Sequence, residues 1–184
     1  MSSHLRASGS AYFLTAAKNN KERHTLSVLV DNEPGILARI AGLFSARGYN
    51  IESLTVSETE HEQGLSRITV VTIASPKTLR QIKLQLERLI PVHKVHDLTA
   101  EGNPLERELA LVKVAGTGDN RVETLRLAEA FRAQVVDAST TSFVFEITGK
   151  TSKIEQFISL MVPLGLVEVV RTGLSAISRG PDGM

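Results

Sequence analysis

The side chains best able to hold a small ligand lie where a first apolar stretch ends, at Asn32-Glu33-Pro34-Gly35-Ile36. The carboxamide of Asn32 can both donate and accept hydrogen bonds. A helix starting here places the N–H groups of Gly35 and Ile36 at its N terminus, where unpaired donors and the helix dipole favour an anion. A glycine lets a ligand carboxylate approach the backbone closely. A free amino acid presents one carboxylate and one ammonium, so the segment suits an amino-acid receptor. A plain turn punctuated by Pro34 and Gly35 accounts for the same residues equally well, and the segment alone leaves both readings open.

No catalytic set assembles from the other reactive residues. There is no cysteine, which removes disulfides, thiolate nucleophiles and cysteine-based metal sites. The histidines are His4, His24, His61, His93 and His96. His93 and His96 are three apart on an expected strand, so they point to opposite faces and make no metal pair. Glu58, Glu60 and Glu62 are expected in one solvated turn rather than as a paired acid and base. Gly116-Thr117-Gly118 has no third glycine at Arg121 and no Gly-Lys-Ser/Thr run, so a tight strand–helix turn is expected instead of a nucleotide cradle. No catalytic residue and no metal ligand is assigned. A net charge of +1 offers no pull toward nucleic acid or an anionic membrane. The absence of tryptophan and the 4% aromatic content leave little for base stacking. No apolar run approaches the ~20 residues of a membrane helix.

The elements that must position Asn32 and Gly35 follow from periodicity. Residues 24–31 alternate, with Leu26, Val28 and Val30 on one face of a strand. Pro34 suits the first turn of a helix whose stripe is Ile36, Leu37, Ile40, Leu43 and Phe44. Gly48 stands where a left-handed cap is expected. A second strand over 51–58 carries Leu54 and Val56 inward and Ser53, Thr55 and Ser57 outward. A third strand spans 65–74. Pro76 opens a helix with Leu79, Ile82, Leu86 and Leu89 inward, and residues 92–98 close the unit. The order βαββαβ then repeats. Glu108 to Val114 is a strand, and Val122, Leu125, Ala128 and Phe131 line a helix. Strands follow at Val135-Val136 and Phe143 to Thr148. A capping box at Ser152 and Glu155 starts the fourth helix, and Leu166 to Thr172 is the last strand. The expected fold is α+β: two tandem ferredoxin-like βαββαβ domains.

The expected boundaries are a mobile arm over 1–22, a first domain over 23–100, a linker over 101–105, a second domain over 106–174 and a tail over 175–184. The arm is rich in Ser, Ala and Asn and lacks the apolar core of a signal peptide. An antiparallel sheet covered on one side leaves edges that are usually paired, so self-association is expected.

Asn32-Glu33-Pro34-Gly35, then Arg47-Gly48-Tyr49-Asn50-Ile51-Glu52-Ser53-Leu54-Thr55-Val56 and Leu65-Ser66-Arg67, resemble the ACT domain of acetohydroxyacid synthase (acetolactate synthase) small regulatory subunits. The second repeat extends the resemblance through Glu106 to Val114, Phe131-Arg132, Val135-Val136-Asp137, Ile147-Thr148-Gly149, Arg171-Thr172-Gly173 and Ser178-Arg179-Gly180. It covers about residues 23–181. In that family ACT domains pair side by side and valine binds at the interface. The resemblance therefore implies a homodimer in which Asn32, Gly35 and Ile36 of one chain meet Asn50 and Ile51 of the other. Ile51 breaks the Leu54/Val56 phase and is expected to be free of its own core, lining a pocket for a branched side chain. The second repeat has Ala115-Gly116-Thr117-Gly118-Asp119-Asn120 in place of the motif, so no valine site is carried there.

The resemblance further implies a non-catalytic chain that activates a separate catalytic large subunit and makes it sensitive to valine in branched-chain amino-acid biosynthesis. Thiamine diphosphate, Mg and FAD belong to that partner, and none is expected on this chain. Two alternatives come from other classes. One is an ACT-domain amino-acid-responsive regulator of another enzyme or of transcription; for the transcriptional form both halves are occupied by βαββαβ units and no helix-turn-helix remains. A stand-alone enzyme would need catalytic residues that the sequence does not supply. The expected location is the cytoplasm.

Overall fold

The computed structural model describes residues 21–59 and 64–184. Most of the arm expected over 1–22 lies outside them, and Glu22 already begins the first strand. The first unit runs β1 (Glu22–Asp31), α1 (Ile36–Ser45), β2 (Ser53–Glu58), β3 (Leu65–Ala74), α2 (Pro76–Leu86) and β4 (Val92–Asp97). The second runs β5 (Leu105–Ala115), α3 (Gly118–Ala130), β6 (Gln134–Ala138), β7 (Ser142–Gly149), α4 (Thr151–Met161) and β8 (Leu166–Arg171), and β9 (Ser175–Ile177) follows. The protein is α+β, and its two units share one topology. The sheet orders are β2-β3-β1-β4 and β6-β7-β5-β8, with antiparallel neighbours throughout. Even an irregularity recurs: the register of β1 on β4 slips at Leu29/Val30 and that of β5 on β8 at Lys113/Val114.

One-sided burial explains the alternation. Leu26, Val28 and Val30 of β1 join Ile68 and Val70 of β3 beneath Ile36, Ile40 and Phe44 of α1 and Leu79, Ile82 and Leu86 of α2. Ser75 caps α2 by accepting from the Thr78 N–H, and Pro76 fills the first turn, where a missing donor costs nothing. The second core gathers Ala110, Val112, Val114, Phe143, Phe145, Ile147, Ile154, Phe157 and Met161.

Several expectations are corrected. Val122 and Leu125 are exposed; the buried face of α3 is Thr124 and Ala128, with Leu127 and Phe131 packed beside them. Leu37 and Val56 are exposed rather than inward, because Leu37 turns off the α1 stripe and Val56 sits on the edge strand β2. The Ser152–Glu155 capping box does not form: α4 starts at Thr151 with Lys150 as its cap and no side-chain hydrogen bond there.

The stretch expected as a tail over 175–184 contains β9, which pairs with the first three residues of β5, Leu105, Glu106 and Arg107. Leu105, expected in the linker, is therefore strand. Strand β5 thus forks: its start belongs to a two-stranded ribbon with β9, and its remainder belongs to the second sheet. The ribbon lies over the face of the first sheet opposite the helices. There Leu174 and Ala176 pack on Val71 and Leu98. Thr25 and Ser27, on that same face, are fully buried. Glu106 accepts from Thr25 Oγ1 at 2.6 Å and meets Arg23 at 3.3 Å. Ser53 Oγ accepts from the Leu174 N–H at 2.9 Å. Gly173 has φ 83°, and a Cβ there would stand 2.9 Å from Thr55 Oγ1, so both the backbone and the space demand glycine.

Leu174 is 2% exposed. Leu174→Ala should destabilise the protein by about 2–3 kcal/mol, the lower part of the range for buried leucines, since its cluster is small. Denaturant unfolding of the full chain measures this; a loss below about 0.5 kcal/mol, the scale of neutral surface changes, would mean that the ribbon contributes little to the fold.

Candidate functional site

Gly35 is the N-cap of α1 and takes the left-handed conformation, φ 89°. Among the described residues no side chain caps this helix, and its first turn holds no acidic residue. The Ile36 N–H reaches only the Glu33 carbonyl, at 3.4 Å. The first turn of α1 therefore keeps donors and a positive dipole end facing an exposed notch. The Ile36 side chain is buried in the first core, so only its backbone is available to a ligand. Asn32 is exposed, and its N–H donates to the Gly64 carbonyl at 2.7 Å. Its Nδ2 donates to Glu58 Oε1 at 2.6 Å. Among the described residues, the amide oxygen and second amide hydrogen of Asn32 carry no bond.

Glu58 is a correction to the sequence reading. It is the last residue of β2 and orients Asn32, rather than belonging to a solvated acidic turn. Glu60, His61 and Glu62 lie outside the described residues, as does His4. At the other motif, exposed Asn50 donates through Nδ2 to Glu52 Oε1 at 2.6 Å. Its carbonyl accepts from Thr72 Oγ1 at 2.7 Å. Ile51 is also corrected: it is half-buried and packs on the first core with Tyr49 and Leu54 instead of standing free of it.

Within one chain the two motifs are far apart. Thr72, which holds Asn50, pairs with His24 near the start of β1, whereas Asn32 follows the end of β1. His24 and Asn32 are eight residues apart, roughly 26 Å of extended strand. The structure thus brings Asn32, Gly35 and Ile36 together at one end of the sheet and Asn50 and Ile51 together at the other.

The remaining reactive residues are tied into the fold. His24 Nδ1 lies 2.9 Å from Asp97 Oδ2, both largely buried, while His93 pairs with Asp31 and His96 with Glu101. Among the described residues no group of three or more His, Cys, Asp or Glu side chains could hold a metal ion. Gly116-Thr117-Gly118 forms the tight turn between β5 and α3. Arg121, which stands where a third phosphate-loop glycine would be, lies 3.8 Å over the Phe143 ring. A cleft of about 860 Å³ separates the two units and is lined by Arg23, Glu52, Glu106, Glu108, Lys150 and Arg171 among others. Arg171 Nε and Nη2 donate to Glu108 at 2.6 and 2.7 Å. That pairing holds the Arg171 guanidinium above its usual pKa despite partial burial. Among the described residues no helix is long and apolar enough to cross a membrane.

A tandem α+β chain whose first unit carries an uncapped helix behind Asn-Glu-Pro-Gly has the features of an ACT-domain protein. Residues 26–94 match the family described as the AHAS small subunit-like ACT domain, and residues 107–180 match the small subunit of acetolactate synthase. The chain belongs to the acetolactate synthase small-subunit family. It is 46% identical to a probable acetolactate synthase small subunit of Archaeoglobus fulgidus, over 86% of this chain and 98% of that one. It is 47% identical to the acetolactate synthase small subunit of Mycobacterium leprae, over 88% and 94% of the two chains. The crystal structure of the small subunit from Thermotoga maritima is similar, with a TM-score of 0.79 and 40% identity, covering 88% of this chain and 99% of that one.

The left-handed Gly35 has a consequence measurable without any ligand. Nothing lies within 4 Å of a Cβ added there, so Gly35→Ala meets strain but no clash. It should cost about 1–2 kcal/mol through backbone conformation alone. A thermal melt of the full chain reads this out; an unchanged midpoint would show that α1 can start without a left-handed residue.

Proposed function

We propose that this chain is the regulatory subunit of an acetolactate synthase, binding valine between two ACT domains and passing that signal to a catalytic large subunit. The observation that carries the reading is the separation of Asn32 and Asn50 on one sheet, which makes a pocket using both a shared property of two chains. Strand β2 is an edge strand, hydrogen-bonded among the described residues to β3 alone. Antiparallel pairing of two β2 edges about a two-fold axis sets the start of one strand beside the end of the other. The start of β2 follows Asn50-Ile51, and its end is Glu58, which holds Asn32. The geometry of one chain thus supplies two complementary halves. The notch at α1 takes the valine carboxylate, and the amides of Asn32 and Asn50 take its remaining polar atoms.

In this reading valine favours one arrangement of the dimer, and that arrangement binds or activates the catalytic subunit differently; linkage requires nothing more. The catalytic partner decarboxylates pyruvate and condenses it with a second 2-oxo acid, and it holds the thiamine diphosphate, Mg and FAD. The small subunit raises that activity and makes it sensitive to valine, in the cytoplasm, within branched-chain amino-acid biosynthesis. Glu52 and Glu58 join the proposed site as residues that orient its two asparagines.

The full chain should sediment as a dimer at tens of micromolar, with or without valine; a clean monomer under both conditions would exclude the shared pocket. Asn32→Ala and Asn50→Ala each remove hydrogen bonds to a charged ligand, about 1.5–3 kcal/mol. Valine inhibition of the reconstituted holoenzyme should weaken on the order of 10- to 100-fold. Both asparagines are exposed, so melting temperature and activation should survive. If all three collapse together, the asparagines are structural turn residues. In hydrogen exchange, valine should protect residues 24–59 far more than residues 106–173, and protection confined to the second unit would move the site there.

A further inference from the structure

A second cleft, of about 300 Å³, lies on the face of the first sheet opposite α1 and α2. Its floor is Thr55 and Ser57 of β2 and Arg67 and Thr69 of β3, which stand side by side in register. Its wall is the β5–β9 ribbon, with Arg107 opposite Ser175. The lining carries two guanidinium groups and several hydroxyls beside the apolar Leu105, Ala176 and Ile177, and no carboxylate.

Neither arginine has an ion-pair partner among the described residues. Arg107 Nη1 donates only to the neighbouring Glu106 carbonyl, at 2.8 Å. Arg67 Nε and Thr55 Oγ1 are buried and have no hydrogen-bond partner among the described residues. Buried donors without partners are uncommon and costly. Most other arginines near this junction are matched: Arg23 by Glu106 and Arg171 by Glu108. Two unpaired guanidinium charges beside hydroxyl donors match a tetrahedral dianion in both charge and donor count, since a phosphate group accepts from many directions and Arg forks bind it in pairs.

We infer that this cleft is a binding site for a phosphate group, held by Arg67 and Arg107 with the hydroxyls of Thr55, Ser57 and Ser175. It is independent of the valine reading and lies on the other face of the sheet from the α1 notch. Phosphate bound there would touch both β2 and the ribbon, joining the first unit to the strand that continues into the second.

The test is calorimetric titration of the full chain with inorganic phosphate, with chloride adjusted to keep ionic strength constant. Saturable binding is expected, weakened about ten- to hundredfold in Arg107→Gln and in Arg67→Gln, the loss of one charge-assisted hydrogen-bond set. Arg126→Gln, a charge change on exposed α3, should bind as the unaltered chain does. A parallel titration with glycerol 3-phosphate separates the sources of the group. Tighter binding than free phosphate assigns the site to a phosphomonoester, and equal or weaker binding to the free ion. The proposal is overturned by an absence of saturation up to roughly 10 mM phosphate, or by equal weakening in Arg126→Gln. Should Arg67→Gln fail to fold, exposed Arg107→Gln still decides: a folded variant with undiminished phosphate binding overturns the site.

Discussion

Two helices on one side of a four-stranded sheet leave the other side to be covered, and the first unit is organised around how this is done. Its uncovered face is not apolar. It carries Thr25 and Ser27 on β1, Thr69 on β3 and Ser53 and Thr55 on β2. Such a face cannot be sealed by oily contact alone, because each buried hydroxyl needs a partner. The ribbon brings suitable groups: the Glu106 carboxylate for Thr25, the Leu174 N–H for Ser53, and a small apolar patch of Leu174 and Ala176 on Val71 and Leu98. The exposed edge of β2, the path of the chain between units and the cleft beneath Arg107 follow from this arrangement.

The fold was largely legible in the sequence because one-sided burial writes itself as periodicity. Leu26, Val28 and Val30 announce β1, and Leu79, Ile82 and Leu86 announce α2. The misreadings share a physical cause, which is that local pattern does not say what lies outside an element. In α3, Val122 and Leu125 are apolar but face solvent, and the buried positions include a threonine whose hydroxyl returns to the Asn120 carbonyl at 2.7 Å. Strand β9 has three residues and too little length for any period, and it exists because β5 offers an edge. Ser152 has capping chemistry, but the chain turns into helix before reaching it.

The candidate site was legible where backbone conformation dictates residue type. A left-handed residue at the head of α1 calls for glycine, and Gly35 supplies it. Partners brought by tertiary structure were not legible. Glu58 reaches Asn32 although β3 lies between β1 and β2 in the sheet, and no spacing rule announces that contact. The second unit shows how little the topology itself decides. With the same strand order and the same register slip, α3 also opens on a left-handed glycine, Gly118 at φ 57°, but behind an extended Thr117 and without the Asn-Glu-Pro that precedes Gly35. A shared fold therefore carries the Asn-Glu-Pro-Gly motif once and omits it once.

Strand β5 carries a mechanical consequence. Its eleven residues form one continuous member, roughly 36 Å long at the usual rise, clamped at one end against the first sheet and woven at the other into the second. A tether would let the units tumble independently, whereas a shared strand transmits torque. A tilt of the first unit would load both this strand, as twist within Leu105 to Glu108, and the β8–β9 connection, where Leu174 is bonded to Ser53. The lever arm then turns a small rotation near β1 into a larger displacement at Ala115, where β5 turns toward α3 and Arg121.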